Sequence, residues 1–488
     1  MAIVTGVMLI DILGIFAALF AIVYTSYKWR YRYWEKRNVP TFEPSIPFGN
    51  LKNPSTATEN KGSQIAKLYK QAKSKGWRHF GLYFVMNPSY VAVDLDLVKN
   101  IMTKDFDHFQ DRGVYTNEKK DPIGCHLFAL GGSKWRTLRA KLTPTFTSGK
   151  MKVMFQILVD CGLILEKYME EYVNTKEPID IKDVLGRFST DIIGSCAFGL
   201  ECNSFKDPDS PFRTYGKIMF EPKQKLNSFF RVILMDYPNI ARALGIRQIR
   251  KEVSDFFTKV VEDTVNYREK NNFVRNDFLQ LLINIKESNQ EGEEKKDDGT
   301  TLTMREIAAQ SFVFFIAGFE TSSTTMTFAL FELATHPDIQ EKVREEIKTI
   351  LGNHNNQITY DSLNQMKYMG QVIDETLRKY PPLSLITRTC DEDYKVPGEE
   401  VVIEKDTRVL IPVLGIHYDE EYYKNPEVFD PERFSQRFGI MESKVGLTCL
   451  LRNFKVKLNR KTEMPLKMSP RAFVTTSQGG IWLDMEKL

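Results

Sequence analysis

A carboxylate and a hydroxyl stand side by side at Glu320 and Thr321, in a stretch otherwise given to Phe, Ile and Ala. A charged group is costly in such surroundings unless it is paired or faces a cavity. A plainer arrangement is also open, with Thr321 bonded to the carbonyl one turn back and Glu320 reaching solvent. Gly318, just upstream, lowers side-chain bulk. Glu375 and Arg378 lie three apart, on one face of a helix if the segment is helical, and can pair. An exposed pair at that spacing contributes little to stability. Trp135 and Arg139, four apart, can reach one object from one helix face, and both are donors suited to a carboxylate.

The elements that position these residues follow from punctuation and spacing. Thr303 and Glu306 form a capping-box start, and the apolar helix it opens is predicted to run to about Thr335, where Pro337 stops it. Pro337 then suits the first turn of a helix fading near Gly352. Short strands are expected at 80–85, 90–93, 401–403 and 408–411 and in the region 473–483, with helical spacing elsewhere. Residues 287–300 are charged, contain Gly and have no apolar face, the pattern of a surface linker.

Ala2 to Tyr24 is almost continuously apolar, long enough to cross a hydrocarbon core of about 30 Å. Lys28, Arg30, Arg32, Lys36 and Arg37 follow, mixed with Trp and Tyr, which marks a cytoplasmic flank at headgroup level. The expected organisation is a retained anchor over 1–27, a basic, aromatic and proline-rich linker over 28–50, and one domain over 51–488. A net charge of +4 is too small to argue for a nucleic-acid partner, and no basic run interleaved with aromatics reads as a nucleic-acid patch. The six cysteines show no CxxC pair and fit a reduced compartment.

Four segments occur in a telling order: Trp135-Arg136-Thr137-Leu138-Arg139, Ala317-Gly318-Phe319-Glu320-Thr321-Ser322, Glu375-Thr376-Leu377-Arg378 and Phe429-Asp430-Pro431-Glu432-Arg433-Phe434. Together they resemble an insect-type microsomal cytochrome P-450, a haem-thiolate monooxygenase. The resemblance implies a mainly α chain with a smaller β region, the cytochrome P-450 fold behind an N-terminal transmembrane helix. It implies haem as cofactor, with Trp135, Arg139 and Arg388 on its propionates (Arg112 a weaker candidate) and Gly318 making room for it and for dioxygen. Glu320 and Thr321 would deliver protons to bound oxygen. Glu375, Arg378 and Arg433 would form a structural clamp on the proximal side. The implied setting is the cytoplasmic face of the endoplasmic reticulum membrane. The implied partners are an NADPH-cytochrome reductase, met by Lys134, Arg136, Lys141 and Lys444, and a lipophilic substrate met in part by the helix face from Phe312 to Thr321. The stretch from Lys217 to Met235 is a candidate second membrane contact.

In that family a glycine-rich loop after the Phe-x-Pro-Glu-Arg-Phe segment ends in the cysteine that ligates iron. Here Phe434 passes through Ser435 and Gln436 directly into Arg437-Phe438-Gly439, and no cysteine lies between Phe429 and Gly446. Cys449 falls in an apolar helical run, several turns beyond the loop. The expectation is therefore a deletion between 434 and 437 and no metal ligand. Two readings stay open: a monooxygenase of lipophilic compounds, or a catalytically inactive, haem-deficient member or misspliced or mispredicted product. Two residues bridge at most about 11 Å. Strain is expected at the start of the helix near Arg437 before the clamp gives way.

Overall fold

The structure is a computed structural model that describes residues 8–52, 56–220, 237–287, 302–434 and 441–488. Two compact units emerge: one from 1–57, 61–113 and 385–416, the other from 58–60, 114–384 and 417–488. The expected surface linker at 288–300, most of the 217–235 stretch and the 435–437 junction lie outside the described residues.

The first unit is built on a four-stranded sheet in the order His79–Phe84, Asn87–Ala92, Arg408–Ile411, Ile386–Thr389. The first pair is an antiparallel hairpin with Phe84 opposite Asn87; the middle pair is parallel and the last antiparallel. Its N-terminal helix, Met8–Arg30, has 23 residues, about 34 Å at 1.5 Å per residue, and could cross a membrane by length and composition. Residues 28–50 then carry side chains into the core of this unit. Trp34 is fully buried, its indole donates to Leu82 O at 3.2 Å, and its ring lies on Gly81. A Cβ on Gly81 would sit 2.2 Å from Trp34 Cγ, so only glycine admits the indole.

The second unit is mainly helical. Its longest element, Met304–Thr335, opens with the expected reciprocal cap: Thr303 N donates to Glu306 Oε2 at 2.7 Å and Glu306 N to Thr303 Oγ1 at 3.3 Å. The following helix, Pro337–Gly352, has proline in its first turn. The long helix packs closely along Ile181–Phe198, which is almost wholly buried, and is itself buried from Ser322 to Leu333. A three-stranded sheet of Ile179–Asp180, Trp482–Lys487 and Phe454–Leu458 closes this unit. The expected strand near the C-terminus thus lies at 482–487, and 454–458, 179–180 and 386–389 add strands that short apolar runs did not reveal.

Gly81→Ala should lower stability by roughly 1–3 kcal/mol, the usual cost of overpacking. Gly352→Ala, at an exposed helix end with open space, should be neutral or slightly stabilising. Urea unfolding followed by tryptophan fluorescence compares the two.

Candidate functional site

The long helix is buried on most faces, yet one stripe in its middle stays accessible. Val313, Ile316, Glu320 and Thr321 are half-exposed and Ala317 is exposed, while Phe312, Phe315, Phe319 and Ser322 to Leu333 are buried. The accessible positions recur at i, i+3, i+4, i+7 and i+8, so they form one face. Small and apolar side chains on an open face of a core helix leave room for a flat or lipophilic molecule. The phenylalanines expected to line a substrate face have another role. Phe315 stacks on Phe319 at 5.5 Å, and Phe257 meets both Phe312 and Phe315, so these rings are core.

Gly318 lies beside the stripe, facing the neighbouring helix. A Cβ there would come within 2.3 Å of Ile193 Cδ1. Its smallness serves a close helix crossing. Thr321 Oγ1 donates to Ala317 O at 2.5 Å, the bond one turn back. Glu320 is partly exposed but paired. Its carboxylate pairs with Lys182 Nζ at 2.6 Å, and the same ammonium donates to Thr476 Oγ1 at 2.5 Å. Lys182 was missed in the sequence because it lies 138 positions from its partner.

Glu375, Arg378 and Arg433 come together in the helical unit. Glu375 and Arg378, 0% and 2% exposed, form a bidentate pair at 2.7 and 2.8 Å. Arg433 Nε lies 3.4 Å from Glu375 Oε1, and Asp430 N donates to that oxygen at 3.0 Å. Arg378 also donates to His417 O at 3.0 Å. A buried carboxylate survives when its lone pairs are met in this way.

In the sheet unit Arg388 is buried, and burial and the nearby Arg112 guanidinium push its pKa down to about 10. No carboxylate pairs with it among the described residues, and its Nε has no hydrogen-bond partner. A buried cation beside a second cation favours an anion such as a carboxylate. In the helical unit, Trp135 is half-buried and Arg139 exposed on Gly132–Leu142. Each of these side chains is a donor suited to a carboxylate.

The cysteines sit in apolar surroundings. Cys449 is buried in Met441–Leu451 with its Sγ packed against Gly162, and burial pushes its pKa up to about 12. Burial also pushes Cys125 up to about 11, Cys161 and Cys390 up to about 12, and Cys196 and Cys202 higher. Thiolate ligands need the opposite environment. Among the described residues no group of His, Cys, Asp or Glu could hold a metal. Donors suited to carboxylates are present in each unit, and the six cysteines all lie where a thiolate is disfavoured.

Two further residues depart from a surface role. Lys444, expected on a basic face, is buried and donates to Leu363 O at 3.0 Å and Met366 O at 2.9 Å, where it caps the end of Tyr360–Gln365. Glu442 accepts from Ser322 Oγ at 3.0 Å while its Oε1 is enclosed without a partner, and burial raises its pKa to about 7.

The folded-state pKa of Glu442 lies above its ordinary value of 4.5. The carboxyl therefore costs stability as pH rises from about 4.5 to about 7, by about 3 kcal/mol at full ionisation. Glu442→Gln should match the parent at pH 4.5 and exceed it increasingly up to pH 7.5 in thermal unfolding; equal stability at both pH values would contradict this. Arg378→Met should cost roughly 3–5 kcal/mol in urea unfolding, since it strands Glu375 in the interior.

A family model described as Cytochrome P450 matches residues 40–437. Relatives include the probable cytochrome P450 6a23 of Drosophila melanogaster, 39% identical over 507 residues, covering 98% of this chain and 99% of that protein. Cytochrome P450 6A1 of Musca domestica is 39% identical over 511 residues, covering 99% and 98%. Cytochrome P450 6a2 of Drosophila melanogaster is 40% identical over 495 residues, covering 95% and 96%. With a mainly helical fold, a smaller sheet part and an apolar N-terminal helix beside these matches, the chain belongs to the cytochrome P450 family of haem-binding monooxygenases.

Proposed function

We propose that this chain is a membrane-anchored P450-family protein that keeps the family's frame for a lipophilic molecule but has lost the iron's thiolate ligand. As it stands, it does not insert oxygen. The observation that carries this reading is the placement of its cysteines. None lies between Phe429 and Gly446, and Cys449 is a neutral thiol packed in a helix–helix seam. The open apolar stripe at Val313, Ile316 and Ala317 suits a lipophilic ligand. The span Met8–Arg30 with its basic and aromatic flank suits an anchor in the endoplasmic reticulum membrane, the remainder on the cytoplasmic face.

A second reading is favoured by the intact clamp: a working monooxygenase whose written sequence has lost one segment. The alignments over 507 and 511 positions are longer than the 488-residue chain, so these relatives hold residues that it lacks. The family match also stops at 437, beside the junction. With the loop restored, haem bound through its thiolate would supply oxygen activation, with electrons from NADPH through a separate reductase. Trp135, Arg139 and Arg388 would donate to its propionates, Glu375, Arg378 and Arg433 would fix the proximal segment, and Lys182 would hold Glu320 near Thr321 on the open stripe. Thr321, already bonded to Ala317 O, would have to release that carbonyl to donate elsewhere.

Purified protein incubated with haem, reduced and exposed to carbon monoxide should lack the Soret band of thiolate-ligated haem; the band in the chain as written would overturn the proposal. Inserting a relative's cysteine-containing loop between Phe434 and Arg437 should produce it. Sequencing the transcript across Phe434 to Arg437 separates a genuine deletion from a lost segment.

A further inference from the structure

Glu332 is a second buried carboxylate, 1% exposed, on the same long helix as Glu320 and about 18 Å further along it. Three side chains converge on it. Tyr380 OH donates to its Oε1 at 2.5 Å, Lys379 Nζ lies 2.8 Å from the same oxygen, and His336 Nδ1 lies 3.4 Å from Oε2. The Tyr380 ring also stacks on Phe328, one turn earlier on the long helix, with centroids 4.3 Å apart. Lys379 ends the helix Lys367–Lys379 and Tyr380 caps it, so these contacts pin the exit of the helix that carries Glu375 and Arg378.

The chain after Tyr380 is stiff. Pro381 and Pro382 have a fixed φ and no N–H, so their carbonyls are the polar groups they offer to neighbours. One residue near the C-terminus meets both: Thr475 Oγ1 donates to Pro381 O at 2.5 Å, and Thr475 N donates to Pro382 O at 3.0 Å. The next residue, Thr476, accepts from Lys182 Nζ, the ammonium paired with Glu320. These contacts close a ring. It leaves the long helix at Glu332 and passes through Tyr380, the two prolines, Thr475, Thr476 and Lys182. It returns to the helix at Glu320, at one end of the open stripe with Val313, Ile316 and Ala317. Every member belongs to the helical unit.

We propose that Tyr380 is a positioning residue for the ligand face of the long helix. Its bond to Glu332 sets the Pro381–Pro382 turn, and the turn holds Thr475, Thr476 and Lys182 at the Glu320 end of the stripe. Tyr380 acts through this ring and touches no ligand. A packing role alone would need only the aromatic ring, which Phe328 already holds. The hydroxyl is buried with the ring and is costly there unless bonded, so it fixes how far the ring can slide along Phe328. Burial and the Glu332 carboxylate raise the pKa of the phenol, which keeps it a donor at neutral pH. The proposal rests on the reading of the open stripe as the seat of a lipophilic molecule.

Tyr380→Phe removes the hydroxyl, keeps the stacked ring and leaves Glu332 paired with Lys379. Two readings are taken on the full chain. Hydrogen exchange is followed in the peptide that carries Thr475, and a lipophilic photoprobe, trifluoromethyl-phenyldiazirine, is scored by mass spectrometry on the peptide that carries Val313, Ile316 and Ala317. Labelling of the apolar helix Met8–Arg30 is the internal reference. The variant should exchange faster at Thr475 and lose stripe labelling several-fold. Gly81→Ala, in the sheet unit, controls for general loss of stability and should move neither reading; an equal change there would reduce Tyr380 to a structural role and overturn the proposal. Thr475→Val opens the ring at its other joint and should lower stripe labelling in the same way, even if Tyr380→Phe folds poorly. Unchanged exchange at Thr475, or faster exchange with unchanged stripe labelling, would overturn the positioning role and leave the lipophile reading standing. A parent chain whose stripe takes up no probe would overturn the lipophile reading and the proposal with it.

Discussion

A carboxylate sealed from water is stable only when positive charge and donors meet it from several directions, and Glu375 is such a group. Arg378 meets it in bidentate fashion from one turn away, Arg433 from the side, and the Asp430 amide from the end of an incoming segment. Removing any one partner strands the others in a low-dielectric interior. The same interaction fixes where Phe429 to Phe434 must lie, and so the point from which the chain must reach Met441. The contacts of Glu375 with Arg378, Arg433 and Asp430 are thus made before the chain passes Phe434.

The thiolate that the family's chemistry needs cannot be supplied from elsewhere in the fold. A thiolate is favoured beside positive charge or a helix N-terminus, and disfavoured by apolar burial. Every cysteine in this chain sits in surroundings that raise its pKa, with desolvation the leading cause each time. Cys449, the one cysteine on the C-terminal side of the junction, fills the notch left by Gly162 in the seam between Met441–Leu451 and the helix Ser148–Val173. Turning it outward would open that seam. The helical unit by itself keeps the buried contacts of Glu375 and an open apolar face on its long helix.

Local chemistry was readable from the sequence wherever partners were close along the chain. The Thr303–Glu306 cap, the Pro337 break and the Glu375–Arg378 pair are three- or four-residue patterns with a direct physical cause. Distant partners were not readable. Nothing near Glu320 announces Lys182, nothing near Gly318 announces Ile193, and Lys444 looks like a surface charge until the carbonyls of Leu363 and Met366 come to it. The strand Ile386–Thr389 escaped notice because four residues with an arginine at the third carry too little periodicity. Residues 28–50 looked like a linker because their prolines and basic residues are those of connectors, whereas the burial of Trp34 depends on a glycine at position 81.

The central claim is that the family's frame has been kept without a sulfur ligand for iron. X-ray absorption at the iron edge, on full-length protein reconstituted with haem and separated from unbound haem, tests it most directly. The account predicts iron surrounded by nitrogen or oxygen scatterers alone, or no retained iron at all. A sulfur scatterer in the first coordination shell would contradict it.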